Sequence, residues 1–157
     1  MTATPADSRF HSEFIIGNGG LTTTRDYVYT AKDGVCDVDA SSNVAATMSS
    51  YEDVPAFDED AMADALTIST LSVAIAADCI NFQLYSEGVF DGEGCDPQDL
   101  DHGVAVVAFD TDADSGLDYF VVRNSWGTSW GNEGYIWFQR GTNVCGVSSE
   151  PRFAIVE

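Results

Sequence analysis

The segment from Asn124 to Tyr135 constrains the fold of this chain more than any other. It reads Asn-Ser-Trp-Gly-Thr-Ser-Trp-Gly-Asn-Glu-Gly-Tyr, a glycine-rich stretch that carries two tryptophans. Apolar runs at residues 119–123 and 134–140 flank it, and both are typical of β-strands. Because two indole rings are costly to leave in water, the loop must be ordered by packing or by a functional site. The sequence therefore predicts two strands joined by a loop built around Trp126 and Trp130.

The rest of the pattern predicts helices mainly in the first half and strands in the second. Residues 8–17 read as the end of a helix that the sequence Asn-Gly-Gly stops. Asp58 or Asp60 can cap a short helix that runs to Leu66. Further strands are predicted at residues 44–51, 71–75, 102–109 and 153–156, with a helical turn and a loop at 82–90. This order is typical of an α+β fold.

The composition argues against several classes of partner. The formal net charge is −20, from 6 basic and 26 acidic residues. Nucleic acids and anionic membranes bind to clustered Lys and Arg, so neither is an expected partner. The acidic excess indicates a well-solvated surface, and a saline or acidic medium would also suit it. The chain has no apolar run long enough to cross a membrane, and residues 1–7 do not resemble a signal peptide.

Cysteine and histidine are few and widely spaced. They are Cys36, Cys79, Cys95, Cys145, His11 and His102. No two cysteines stand in a Cys-x-x-Cys arrangement, so we predict neither a metal site nor a cofactor. Disulfide bonds are the better interpretation, and the sequence alone leaves their connectivity open.

A second informative segment reads Leu-Asp-His-Gly-Val, at residues 100–104. On residue type alone, a histidine at the start of an apolar strand is more often structural than catalytic. Together with the tryptophan loop, however, the segment closely resembles the papain and cathepsin L family of cysteine proteases. That family has an Asp-His-Gly/Ala-Val segment followed by Asn-Ser-Trp-Gly-x-x-Trp-Gly. Further matches lie at residues 18–21, 26–36, 51–55, 72–75, 82–90 and 143–146.

The resemblance implies a role for each residue of the two segments. His102 would be the general acid and base of a Cys-His-Asn set, and Asn124 would hold its ring and tautomer. Trp126 would cover that hydrogen bond, and Trp130 would line the leaving-group side of the cleft. Simple loop packing is the alternative for both tryptophans.

The nucleophile of such a set is not in these 157 residues. The family pattern Cys-Gly-Ser/Ala-Cys places the catalytic cysteine roughly 130–150 residues before the histidine and asparagine. That position falls before Met1, and the oxyanion-hole glutamine of the family lies further upstream still. Cys79 follows a predicted strand rather than opening a helix, which makes it a poor substitute.

The resemblance also implies a disulfide and a substrate pocket. Cys95 and Cys145 match two family positions that are bonded to each other. The family partner of Cys36 lies upstream, and Cys79 would be an extra free thiol. The pocket for the second residue before the scissile bond would be formed by Ala74, Leu100, Gly103 and Glu150. A carboxylate at its floor would favour Arg or Lys as well as apolar side chains, unless Glu150 points to solvent.

The sequence is therefore interpreted as a papain-like α+β protein that covers mainly the β-rich right domain. Residues 1–43 would be a remnant of the helical left domain, and residues 44–157 the right domain. The function expected is that of the C-terminal part of a cysteine endopeptidase, inactive alone. A non-catalytic, protease-derived binding protein is the alternative. Expected partners are a peptide or protein substrate, the missing N-terminal segment and a cystatin-like inhibitor. The family implies a lysosomal, vacuolar or extracellular location.

Overall fold

A computed structural model describes residues 8–156 and divides them into two compact units. The larger unit holds Asp53–Phe153 together with Ser8, and the smaller holds Arg9–Glu52 with the last residues from Ala154 onward. The sequence placed a boundary at residue 43/44, and its assignment of residues 1–43 to a remnant of a helical domain stays a prediction. The expectation for residues 1–7 lies outside the described residues.

The smaller unit contains the predicted N-terminal helix except for its first residue. Helix α1 (Ser8–Gly17) ends where expected, because the Asn18 N–H donates to the Phe14 carbonyl at 2.8 Å and the next residues turn away. A Cβ at Gly20 would lie 2.4 Å from the Ala46 carbonyl oxygen, so this position needs glycine. A short helix, α2 (Val38–Ser41), and most of strand β1 (Ser50–Asp53) complete this unit.

The strand predicted at residues 44–51 is wrong for most of its length, since β1 begins only at Ser50. The backbone N–H groups of Ala45 and Ala46 both donate to the Leu21 carbonyl, at 2.7 and 3.1 Å. Ala46 therefore forms an isolated bridge with Leu21 instead of part of a regular strand.

The larger unit contains the other elements, most of them close to their predicted positions. They are α3 (Glu59–Leu66), β2 (Leu71–Ile75), α4 (Ile80–Gln83), β3 (Val89–Phe90), β4 (His102–Thr111), β5 (Asp118–Arg123), β6 (Tyr135–Gln139), a 3₁₀ turn η1 (Val144–Gly146) and the start of β7 (Arg152–Ile155). Helix α3 begins as predicted, because the Asp58 carboxylate accepts the Ala61 N–H at 2.9 Å.

The strands of the larger unit form one sheet in the order β7-β2-β4-β5-β6-β3. Its central pairs are antiparallel, and only β3 runs parallel to β6. Leu71, Val73 and Ile75 of β2 are all fully buried, as their alternation predicts. The register sets Ile75 opposite His102, so the first residue of β4 is fixed at one end of the sheet.

A cluster of aromatic rings fills the core beside this sheet. Phe82, Phe120 and Phe138 are each 0% exposed, and Phe82 contacts Phe138 with ring centroids 6.2 Å apart. Phe82 lies on α4, so the core reaches from the sheet to the loop that carries the two tryptophans. Of the helices in residues 8–156, none has the length and apolar character that a membrane crossing requires.

Candidate active site

His102 and Asn124 lie side by side because neighbouring strands carry them. His102 begins β4, and Asn124 directly follows β5, which pairs with β4 from Ala105 opposite Arg123 onward. The His102 Nε2 atom lies 2.8 Å from the Asn124 Oδ1 atom. Asn124 is buried and His102 is half-buried, so the bond is partly shielded from water.

The hydrogen bonds around Asn124 determine which nitrogen of His102 is the base. The Ser125 N–H donates to Asn124 Oδ1 at 2.7 Å, which fixes the orientation of the amide. An amide oxygen only accepts, so the nitrogen 2.8 Å away must be protonated. His102 is therefore the Nε2–H tautomer when neutral, and its Nδ1 atom carries the lone pair that can take a proton.

Asp101 fixes the start of β4, a role that the sequence did not reveal. Its N–H donates to the Ile75 carbonyl at 3.0 Å, and its carboxylate accepts the Ala77 N–H at 2.8 Å. Both bonds tie the residue before His102 to the end of β2. The only sequence signal was the Asp-His pair, which was used to recognise the motif and not to assign a contact.

Trp126 covers the histidine, and both tryptophans rest on one buried ring. Trp126 lies over His102 with ring centroids 5.3 Å apart and planes inclined by 34°. Phe82 contacts Trp126 at 5.4 Å and Trp130 at 5.1 Å. The Trp130 Nε1–H donates to the Gln83 carbonyl at 3.0 Å. Helix α4 thus supports the tryptophan loop, and Phe82 and Gln83 are supporting residues that the sequence noted only as motif matches.

The loop itself holds its shape through glycine. Gly131 has φ of 57°, and a Cβ there would lie 2.5 Å from the Tyr135 carbonyl oxygen. Any other residue would push apart the turn between the tryptophans and β6.

Two of the four residues predicted to form a substrate pocket, Ala74 and Gly103, lie beside His102 in the sheet. Ala74 is buried and pairs with Gly103, one step along the register from the pair of Ile75 with His102. Leu100 packs near Gly146, where a Cβ would lie 2.5 Å from the Leu100 Cδ2 atom. Glu150 is exposed and precedes β7.

The structure does not contain the predicted disulfide between Cys95 and Cys145. Cys95 is bonded instead to Cys79, with Cα atoms 5.1 Å apart, a normal separation for a disulfide. Cys145 is a buried free thiol, and Cys36 is an exposed one. Cys79 does open a helix, contrary to expectation, since it stands at the N-terminal end of α4. The Asn81 side chain of α4 donates to the Glu93 carbonyl at 3.0 Å, which holds the loop that carries Cys95 close to this helix.

Burial makes Cys145 a poor nucleophile. Cys145 is 2% exposed, and desolvation, with a smaller contribution from the charge of Asp101, raises the pKa of its thiol to about 12. At neutral pH it is therefore protonated and unreactive. Within residues 8–156, no group of three or more His, Cys, Asp or Glu side chains is arranged to hold a metal ion.

A histidine oriented by an asparagine and covered by a tryptophan, at one end of an antiparallel sheet, defines the class of papain-like cysteine proteases. The sequence pattern of the papain family cysteine proteases matches residues 8–155. This chain belongs to that family.

Two cysteine proteases illustrate the similarity, which extends over most of the length of this chain. Cysteine proteinase RD21A of Arabidopsis thaliana is 44% identical over 147 residues, which cover 91% of this chain and 31% of the relative. Cathepsin L1 of Drosophila melanogaster is 46% identical over 145 residues, which cover 91% of this chain and 38% of the relative. The chain thus spans less than half the length of these relatives.

Solved structures of this family have the same fold. The bromelain protease from Ananas comosus, in complex with the E64 inhibitor, superposes with a TM-score of 0.82 at 33% identity, covering 93% of this chain and 67% of that one. The proform of the ragweed pollen cysteine protease Amb a 11 gives a TM-score of 0.83 at 32% identity, covering 92% of this chain and 44% of that one. The predicted papain-like α+β fold is confirmed.

Proposed function

We propose that this chain is the part of a cysteine endopeptidase that supplies the general base and its orienting residue. The observation that carries the proposal is the 2.8 Å contact between His102 Nε2 and Asn124 Oδ1 beneath Trp126. A histidine with Nε2 bound and Nδ1 available is arranged to take a proton from a nucleophile and return it to a leaving group.

The proposed reaction is peptide-bond hydrolysis through an acyl-enzyme. Nδ1 of His102 takes the thiol proton, and the thiolate attacks the scissile carbonyl carbon. The imidazolium then protonates the leaving amine. Water, deprotonated by the same nitrogen, releases the acid and restores the thiol. Asn124 keeps the ring in place through both proton transfers, and Trp126 limits the access of water to the hydrogen bond that does so.

The nucleophile is proposed to come from a segment outside these 157 residues, so the chain alone would be inactive. Cys79 and Cys95 are bonded to each other, and the pKa of Cys145 is about 12. Cys36 is an exposed thiol, and by the family resemblance its position belongs to a disulfide rather than to the nucleophile. The absence of a Cys-Gly-x-Cys segment from the chain supports the same interpretation.

The test compares the chain alone with the chain extended by whatever coding sequence precedes Met1 in the transcript. We expect the chain alone not to cleave a fluorogenic peptide, and the extended form to cleave it. In the extended form, His102→Ala should lower kcat/KM by at least about 10²-fold, the usual contribution of a general base. An in-frame stop codon just before Met1, or cleavage that survives His102→Ala, would refute the proposal.

The preference of this site is proposed to include Arg or Lys at the second residue before the scissile bond. The position of Glu150 supports it, because Glu150 lies two residues before Arg152, which pairs with Ser72 of the strand that carries Ala74. In the extended form, Glu150→Gln should lower kcat/KM for such substrates about 10-fold relative to a Leu substrate, the effect of losing one charged hydrogen bond. Glu87→Gln, which removes an exposed carboxylate elsewhere, is the matched control. Equal ratios in both variants would contradict this assignment.

A non-catalytic binding protein is the second candidate, and the exposed apolar side chains around the site favour it. Ile80, which begins α4, is 61% exposed, and Leu84, which follows its end, is 73% exposed; Trp126 is 41% exposed. Such a protein would start at Met1 and bind a peptide or a protease without cleaving it. For the enzyme, the family suggests a peptide substrate, a cystatin-like inhibitor and a lysosomal, vacuolar or extracellular location.

A further inference from the structure

The acidic residues of this chain are unusual in number and in placement. There are 26 of them against 6 basic residues, an excess of 20 negative charges in 157 residues. In residues 8–156 no carboxylate residue is buried, and all but the half-buried Glu59 and Asp112 are exposed. Three of the basic side chains, Arg25, Arg140 and Arg152, already contact a carboxylate within 3.7 Å. The protein therefore neutralises very little of its own surface charge.

The spacing of these charges decides how salt acts on them. The exposed surface is 9619 Å², or roughly 370 Å² per carboxylate, so neighbouring charges lie on the order of 20 Å apart. The Debye length is about 30 Å at 0.01 M salt, about 10 Å at 0.1 M and about 3 Å at 1 M. At low ionic strength each carboxylate thus repels several neighbours, and at molar salt it repels almost none.

Unfolding relieves this repulsion, because the charges move apart as the chain expands. The folded form should therefore be penalised at low salt and restored by any cation that screens the surface. We propose that this protein is built for a concentrated salt solution, and that its folded state depends on a diffuse layer of monovalent cations. No specific metal site is involved, so Na⁺, K⁺ and choline should act alike at equal ionic strength.

The experiment is thermal unfolding of the full chain at pH 7, followed by tryptophan fluorescence, from about 0.05 M to about 2 M NaCl. The midpoint Tm should rise by on the order of 10 °C, with KCl and choline chloride giving the same curve. Sucrose, which stabilises by exclusion without screening charge, should not reproduce the rise between the two lowest salt concentrations.

A variant with less charge tests the cause. Six exposed carboxylates make no hydrogen bond or ion pair within residues 8–156, and their substitutions are Glu13→Gln, Asp33→Asn, Asp64→Asn, Glu87→Gln, Asp99→Asn and Asp114→Asn. The variant carries a net charge of −14 instead of −20. Because repulsion grows with the square of charge, the rise in Tm should fall to roughly half.

The matched control exchanges Asp and Glu at the same six positions and keeps the charge at −20, so it should retain the full salt dependence. A flat Tm, an equal rise in the neutralised variant, a response to one cation only, or no cooperative unfolding at any salt concentration would each overturn the proposal. None of these results depends on peptidase activity, so the proposed function is tested separately.

Discussion

Removal of the Asn124 side chain should change which ring nitrogen of His102 carries the proton, and NMR can measure this change. Asn124 Oδ1 accepts two hydrogen bonds, from His102 Nε2 at 2.8 Å and from the Ser125 N–H at 2.7 Å. In Asn124→Ala both donors lose this acceptor in a site where Asn124 is only 8% exposed. The neutral imidazole then lacks the acceptor that favours the Nε2–H tautomer.

The stability cost follows from the same two bonds. A buried donor left without its partner costs about 1–3 kcal/mol, and the half-buried His102 can partly turn to water. We therefore expect Asn124→Ala to lower the free energy of unfolding by about 2 kcal/mol, which for a chain of this size lowers Tm by about 4–8 °C. Asn132→Ala, an exposed asparagine in the same loop, should change it by less than about 0.5 kcal/mol.

The assay is the pattern of ¹⁵N–¹H couplings of the imidazole above its titration range, together with urea unfolding. The unmodified chain and Asn132→Ala should show the Nε2–H tautomer of His102, and Asn124→Ala should show a mixture of tautomers. His11, which is exposed, gives an internal reference. An Nδ1–H tautomer in the unmodified chain, or no change in Asn124→Ala, would refute the role assigned to Asn124.

Three further perturbations test the support of the site. Phe82→Ala should lower the free energy of unfolding by about 3–5 kcal/mol and shift the tryptophan emission, because Phe82 is buried against both indole rings. Leu84→Ala, at an exposed position, should lower it by less than about 0.5 kcal/mol. Equal losses in the two variants would refute the packing argument. Burial raises the pKa of the Cys145 thiol to about 12, whereas the thiol of the unfolded chain ionises at pH ~9. The free energy of unfolding should therefore fall as the pH rises from ~9 toward 12, and it should fall less in Cys145→Ala. Urea unfolding at each pH measures both. Cys79→Ser should cost about 3 kcal/mol by opening the disulfide to Cys95, and peptide mapping that finds the Cys79 thiol free would contradict that bond.

The sequence predicted well where local pattern determines structure. Leu71–Ile75 alternates in hydrophobicity and forms β2 at those residues, and Asp58 caps α3 as its position suggested. The pair of His102 and Asn124 could also be predicted from the sequence, because two separate motifs matched one family. In each case a few neighbouring residues, or a motif, carry the information.

Long-range packing explains what the sequence did not reveal. Leu21 takes the N–H groups of Ala45 and Ala46, which removes them from the expected strand. The partner of Cys95 depends on how the loop before β4 meets the start of α4. The role of Phe82 depends on two tryptophans more than 40 residues away. None of these contacts has a local pattern that would distinguish it from its alternatives.

Within residues 8–156, the groups seen to orient His102 belong to the larger unit of this chain. Asn124 fixes the tautomer of His102, and Asp101 fixes the start of β4. Trp126 packs over the imidazole ring and is itself supported by Phe82. The general base should therefore be preorganised without any contribution from a nucleophile-bearing segment. A chain that shows the Nε2–H tautomer and yet fails to cleave peptides would place the defect in the missing thiol. A chain that shows mixed tautomers would instead mean that the missing segment also helps to build the base.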